Sequence, residues 1–254
     1  GCRMVLFGAF GVLAGAGNIF VGNHWFHGDD ENNGIRQPAL IFTRPNPMSI
    51  VTGNYIDNAP IEMTNEHDST PDFFNQFSFG GLALTGNIFS CKNVAPWFRF
   101  LTIKPYGSGH YIHGLSVTGN TFRTISGNIG RSEEIDDSIA TLDMNKARNI
   151  IFEGNTFNGI NQMVANPVTL DFQQSTAAAT WTCDFGGFLP FNGRAKSSPS
   201  FTLDGSVRNW SNHTVDSMPF LRMQQGATLD QVEVVWPQAC TGRIHLTARM
   251  DTPT

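Results

Sequence analysis

Ser116-Val117-Thr118-Gly119-Asn120-Thr121-Phe122 is one of five copies of a phrase in which a short apolar strand runs into Gly-Asn and then an aromatic or aliphatic residue. The others occupy residues 19–25, 50–56, 83–89 and 151–157. Their asparagines, Asn23, Asn54, Asn87, Asn120 and Asn155, follow one another at intervals of 31, 33, 33 and 35 residues. A fixed period of this size marks a repeat architecture. Within each copy, alternating apolar and polar residues specify a strand with one buried face, and Gly-Asn specifies a sharp corner because both residues tolerate positive φ. If copies stack at the usual strand spacing of ~4.8 Å, the asparagines form a hydrogen-bonded ladder and Trp25, Ile56, Phe89, Phe122 and Phe157 form an internal stack.

Every period carries a further apolar strand, at residues 39–42, 60–64, 98–103, 138–142 and 167–172. Two or three short strands per coil describe a parallel β-solenoid. A leucine-rich repeat needs a leucine frame and a shorter period, and a propeller blade needs about four antiparallel strands. After Gln174 the phrase does not return. Alternating runs at 180–183, 200–203, 231–236 and 243–250, with turns at Asp204-Gly205 and Thr241-Gly242, predict a small antiparallel β module. The expected fold is therefore all-β: a right-handed parallel β-helix over residues 1–174 and a C-terminal antiparallel module over 175–254. Such a module blunts the open end of a solenoid or clamps three chains together.

The 254 residues are 40% hydrophobic, enough to bury a sizeable core, and only 15% charged, with a formal net charge of −5. Twenty-six glycines and 21 phenylalanines suit β-structure with many turns. The chain holds no Lys/Arg run that would track phosphates, which disfavours nucleic acid as principal ligand and leaves neutral or sugar-like partners as the better fit. Cys2, Cys91, Cys183 and Cys240 lie far apart without a Cys-x-x-Cys pair, so they predict buried thiols rather than a zinc site or a disulfide scaffold. The apolar opening at 4–16 ends in small residues like a signal peptide, yet it is too short to span a bilayer and runs into the first repeat. It reads as the first part of the fold, without membrane insertion, in a chain cut from something longer.

Corner loops of unequal length on one side of a solenoid build its binding face. The richest hold His24, His27, Asp29, Asp30 and Glu31; Glu62 with Glu66-His67-Asp68; and Lys104, Tyr106, His110 and His113. Hydrolysis of a polysaccharide needs two carboxylates of different pKa, and lyase chemistry needs a base and a cation beside a uronate. Glu62, Glu66, His67, Asp68 and Lys104 supply both sets and are the candidate catalytic residues, sharing a face if Lys104 lies one coil after Glu62. Trp97, in a turn beside Arg99, offers a stacking platform for a sugar ring. His24, Asp29, Asp30 and His110 complete the candidate carbohydrate-binding set. Residues 131–137 read as an acidic exposed loop, with a Ca²⁺ site at Asp136-Asp137 as the alternative. His24 and His27 lack a third ligand at a fixed spacing, so neither a metal nor a cofactor is expected.

The Val-Thr-Gly-Asn-x-Phe phrase, recurring once per coil over roughly residues 4–174, resembles the right-handed parallel β-helix proteins of the pectate-lyase-like superfamily. Residues 22–26, 64–68, 93–99 and 247–251 look like alphaproteobacterial members, some of which are similar to head-spike fibres of gene transfer agents and phages. That resemblance implies a homotrimeric spike outside the cell, on a phage-like particle with other spike or capsid proteins, binding host surface (capsular) polysaccharide. The alternative it implies is a secreted or periplasmic polysaccharide lyase or glycoside hydrolase. Neither an Asp/Asp/His set of the polygalacturonase kind nor the arginine-centred pattern of a pectate lyase is present, so no activity carries over residue by residue.

Overall fold

The Gly-Asn phrases form the corners of a parallel β-solenoid, seen in a computed structural model that describes residues 1–6, 8–27, 37–75 and 78–253. Gly53, Gly86, Gly119 and Gly154 sit at φ of 63°, 62°, 64° and 65°, a left-handed conformation in which a Cβ is strained. The strands leaving the Gly-Asn corners, with β1 (Arg3–Leu6) ahead of them, stack into sheet A: β4 (His24–His27), β7 (Tyr55–Asp57), β10 (Ile88–Lys92), β13 (Thr121–Ile125) and β16 (Thr156–Asn158). The second strand of each coil builds sheet B from β2 (Gly11–Leu13), β5 (Leu40–Phe42), β8 (Ile61–Thr64), β11 (Leu101–Lys104) and β14 (Glu133–Ile135). Strands entering the corners form sheet C from β3 (Ile19–Val21), β6 (Ser49–Thr52), β9 (Phe79–Thr85), β12 (Ile112–Thr118) and β15 (Arg148–Glu153).

The expected register holds. Trp25, Ile56, Phe89, Phe122 and Phe157 pair in one row, and Phe122 stacks on Phe89 and Phe157 with ring centroids 5.0 and 5.6 Å apart. Oδ1 of Asn54, Asn87, Asn120 and Asn155 each accepts the backbone N–H of the asparagine one coil earlier, at 2.9 to 3.0 Å. Rows such as Leu40, Ile61 and Leu101 fill the interior from sheet B. The solenoid thus buries a core that no single coil could close.

Three sequence expectations change here. Residues 138–142 form no strand; β14 takes that register instead, with Leu101 paired to Glu133 and Ile103 to Ile135. The acidic stretch is therefore partly core: Glu133 is 1% exposed, and its carboxylate accepts from Arg131 Nη2 and Ser132 Oγ, both at 2.7 Å. Cys2 is exposed, whereas Cys91, Cys183 and Cys240 are buried as expected.

The chain forms two compact units, whose main bodies are Gly1–Met163 and Val164–Thr252. Residues 167–172 read as a coil strand because they alternate, but from Val168 on they open β17 (Val168–Asp184), which runs antiparallel to β21 (Gln231–Arg249). β21 also pairs with β18 (Ser197–Leu203), β19 (Arg208–Asn209) and β20 (Phe220–Gln225). This second unit packs Trp181 against Trp236, centroids 5.2 Å apart, among Val232, Val234, Ile244 and Leu246. Among the described residues no helix is long and apolar enough to cross a membrane.

Candidate functional site

Alternation along sheet B turns Ile61, Met63, Leu101 and Ile103 inward and leaves Glu62, Thr102, Lys104 and Glu134 on the outer side. Parallel register places Glu62, Thr102 and Glu134 in one row, since Thr102 pairs with both glutamates. Two adjacent-strand steps separate the glutamates, about 10 Å between their Cα atoms. Asp136 continues the line of β14 through its N–H to Ile103 O, 2.9 Å. Its Oδ2 lies 3.5 Å from Lys104 Nζ, which sits 5.6 Å from the Tyr106 ring centre. The pKa of Tyr106 is raised by burial, and the charge of Glu66, in the turn after β8, adds to that rise. At the other margin, Arg99 Nε stands 3.3 Å from Glu134 Oε2, while Nη1 donates to Pro96 O at 3.0 Å and to Phe98 O at 2.7 Å. Arg99 thereby ties the Trp97 turn, with Trp97 49% exposed, to the carboxylate row.

The carboxyls of this band differ in acidity. Burial pushes Glu62 up, with Lys104 pulling partly back, and burial pushes Glu134 up against the pull of Arg99. Asp136 is held down, first by its hydrogen bonds from Ser138 and then by Lys104. Lys104 is raised: burial opposes its charge, but Tyr106, Asp136 and Glu62 outweigh that opposition. The band thus sets glutamates raised above their usual range beside an aspartate held below it, the kind of contrast that acid–base chemistry on a glycosidic bond uses.

A second feature adjoins it. The turns after β2, β5, β8 and β11 enclose a cavity of about 430 Å³, lined among others by Arg44, Asn46, Asp68, Asp72, Phe74 and His110. Buried Asn65 is its strut, donating from Nδ2 to Pro71 O and accepting from Tyr106 N–H, both at 2.8 Å. Asp72 Oδ1 accepts from Ser108 N–H at 2.8 Å and from its Oγ at 2.9 Å, which lowers the Asp72 pKa. Burial between Phe73 and Phe79 lowers that of His110.

Of the residues singled out from sequence, Glu62, Glu66 and Lys104 fall on the outer band of sheet B, with Arg99 and Trp97 at its margin. Asp68 and His110 fall in the neighbouring cavity. His67 is exposed in the turn and joins neither. His24 lies on sheet A, away from both, with Nε2 at 3.8 Å from Asp57 Oδ2 and its ring against Tyr55. Asp29, Asp30 and Glu31 lie outside the described residues. Sequence reasoning missed Arg44, Asp72 and Phe74, which no spacing announces. It also missed that Glu134 and Asp136 are alternate residues running outward from a strand, a signal present in the i, i+2 pattern. Among the described residues no three His, Cys, Asp or Glu side chains are grouped to hold a metal ion.

No protein-family model matches the chain, and comparison with curated proteins and with solved structures returned no significant match.

Proposed function

We propose that this chain is a β-helical spike or fibre protein that binds host surface polysaccharide along the outer side of sheet B. The observation that carries the reading is the band from Trp97 through Arg99, Glu134, Asp136 and Lys104 to Tyr106 and Glu66, in which Lys104 and Glu134 stand on adjacent strands and the others on the turns flanking strands of the sheet. A polymer of repeating sugars is matched by such a surface: hydrogen-bonding groups at regular strand intervals and an exposed tryptophan for a pyranose face. The resemblance to pectate-lyase-like β-helix proteins and to spike fibres supports placing it outside the cell on a phage-like particle, as a homotrimer among other spike or capsid proteins.

A second reading, hydrolysis of the same polymer, is favoured by the Glu62–Thr102–Glu134 row. Inverting glycosidases space their two carboxyl groups by roughly 6.5–9.5 Å, a range that side chains leaving Cα atoms about 10 Å apart reach. In that reading a protonated glutamate donates to the leaving oxygen and the facing carboxylate activates water. The test is incubation of the whole chain with capsular polysaccharide from its host, following retention of polymer, reducing ends and unsaturated product together. Retention weakened by Trp97→Ala and Glu134→Gln supports the binding reading. New reducing ends abolished by Glu62→Gln support hydrolysis, and unsaturated product assigns a lyase instead. Polymer that neither binds nor is cut refutes the proposal.

A further inference from the structure

The cavity at the turns after β2, β5, β8 and β11 has the makings of a sugar pocket separate from the outer band. Its volume of about 430 Å³ lies in the range of small-molecule sites, whose walls combine apolar surface with a few convergent polar groups. On its wall is Phe74, 68% exposed, an aromatic face open to the C–H side of a pyranose. Arg44 is exposed and makes no ion pair among the described residues, so its donors are free for a ligand.

His110 supplies the second, independent observation. It is 3% exposed and lines the cavity. Its Nε2 donates to Pro71 O at 2.8 Å, which places the proton of the neutral ring on Nε2 and leaves Nδ1 as an acceptor. Nδ1 has no partner among the described residues, and buried polar atoms normally have one.

Charge narrows the ligand. Asp68 and Asp72 set two carboxylates against one guanidinium, a net negative balance that repels an acidic sugar. Asp72 has one oxygen already engaged by Ser108, and Arg44 opposes an ammonium. Hydroxyl groups match what remains: they donate to Asp68 and His110 and accept from Arg44 and Asn46.

We infer that this cavity binds one uncharged glycosyl unit, stacked on Phe74 and held through its hydroxyls by Arg44, Asp68 and His110. The ligand class rests on the polysaccharide-binding reading above, but the pocket is tested apart from the polymer.

Saturation-transfer NMR of the whole chain with the methyl α-glycosides of D-glucose, D-galactose, D-mannose and L-rhamnose is the experiment, with D-glucuronate and D-glucosamine as charged comparators. The expected result is transfer to at least one neutral glycoside, stronger than to either charged sugar, and its loss in Arg44→Ala and Phe74→Ala. Both residues are exposed, so these variants keep the fold, which an unchanged melting temperature verifies; His110→Phe adds the buried acceptor. No transfer to any neutral glycoside, equal or stronger transfer to a charged sugar, or transfer that survives both exposed variants overturns the inference. A polymer retained through Trp97 and Glu134 with no glycoside signal sinks this pocket alone. A glycoside signal lost in the pocket variants, with no polymer retained, sinks the polysaccharide reading and leaves the pocket standing.

Discussion

Asn87 donates from Nδ2 to Oδ1 of Asn120 across 3.0 Å, and its backbone N–H donates to the same oxygen across 2.9 Å. The same Nδ2 reaches back to Val51 O at 2.8 Å, and Oδ1 of Asn87 accepts the N–H and Nδ2 of Asn54. One buried side chain therefore joins three successive coils. Main-chain pairing holds neighbouring strands, whereas this ladder also holds the corners, where the main chain turns and its own donors would be lost.

Asn87→Ala leaves Val51 O and Asn54 N–H without their side-chain partner and should destabilise the chain by about 1–3 kcal/mol. Asn23→Ala should cost less, because Asn23 Oδ1 accepts only at the exposed end of the ladder, from Cys2 N–H at 3.1 Å. Thermal or denaturant unfolding checks both, and equal losses would mean that the corners do not depend on the buried rungs.

Phe122 lies between Phe89 and Phe157 in the aromatic row and is 2% exposed. Truncation to alanine removes a whole ring from a packed interior, a change that costs about 3–5 kcal/mol. Phe122→Ala is expected to lower the unfolding midpoint more than Asn87→Ala does; a smaller drop would show that the row repacks.

Burial raises the pKa of Glu62 above the usual glutamate range, so the folded chain holds this proton more tightly than the unfolded one. Its contribution to stability is then full below the unfolded pKa and is lost as pH rises through the folded one. Glu62→Gln imitates the protonated form. It should raise the melting temperature at about pH 7 and leave it nearly unchanged at about pH 3. A loss of stability at neutral pH would show that attraction to Lys104 outweighs the burial cost.

Burial pushes the Cys183 thiol up to about 12 and the Cys240 thiol up to about 11. Thiols so protonated and enclosed do not react, because the thiolate is the nucleophile. A thiol reagent should label Cys2 in the native chain and all four cysteines after denaturation. Rapid native labelling at Cys183 would contradict the packing of the second unit.

The residues that could be read correctly in isolation are those whose role is set by their neighbours in sequence. Gly119-Asn120 makes a corner wherever such a strand precedes it, and Phe122 faces inward because it stands two residues past that corner. Residues 138–142 and 167–172 alternate just as convincingly, yet the first forms no strand and the second belongs to an antiparallel sheet. Alternation marks a strand with two unlike faces but does not say which strand it will pair with.

The repeated phrase, its period and the apolar alternation establish a stacked β-solenoid from local chemistry alone, since every copy makes the same corner and offers the same face to the next. Which functional groups meet is settled between coils. Glu62 faces Thr102 and Glu134, and Lys104 faces Asp136, only because corners of unequal length return each chain segment to a common register. Arg44, Asp68, Asp72 and His110 come from separate turns and share a cavity for the same reason. The physical ground is that strand pairing is set by main-chain hydrogen bonds and inward-facing side chains, while outward-facing residues ride along and gain their neighbours from the stack.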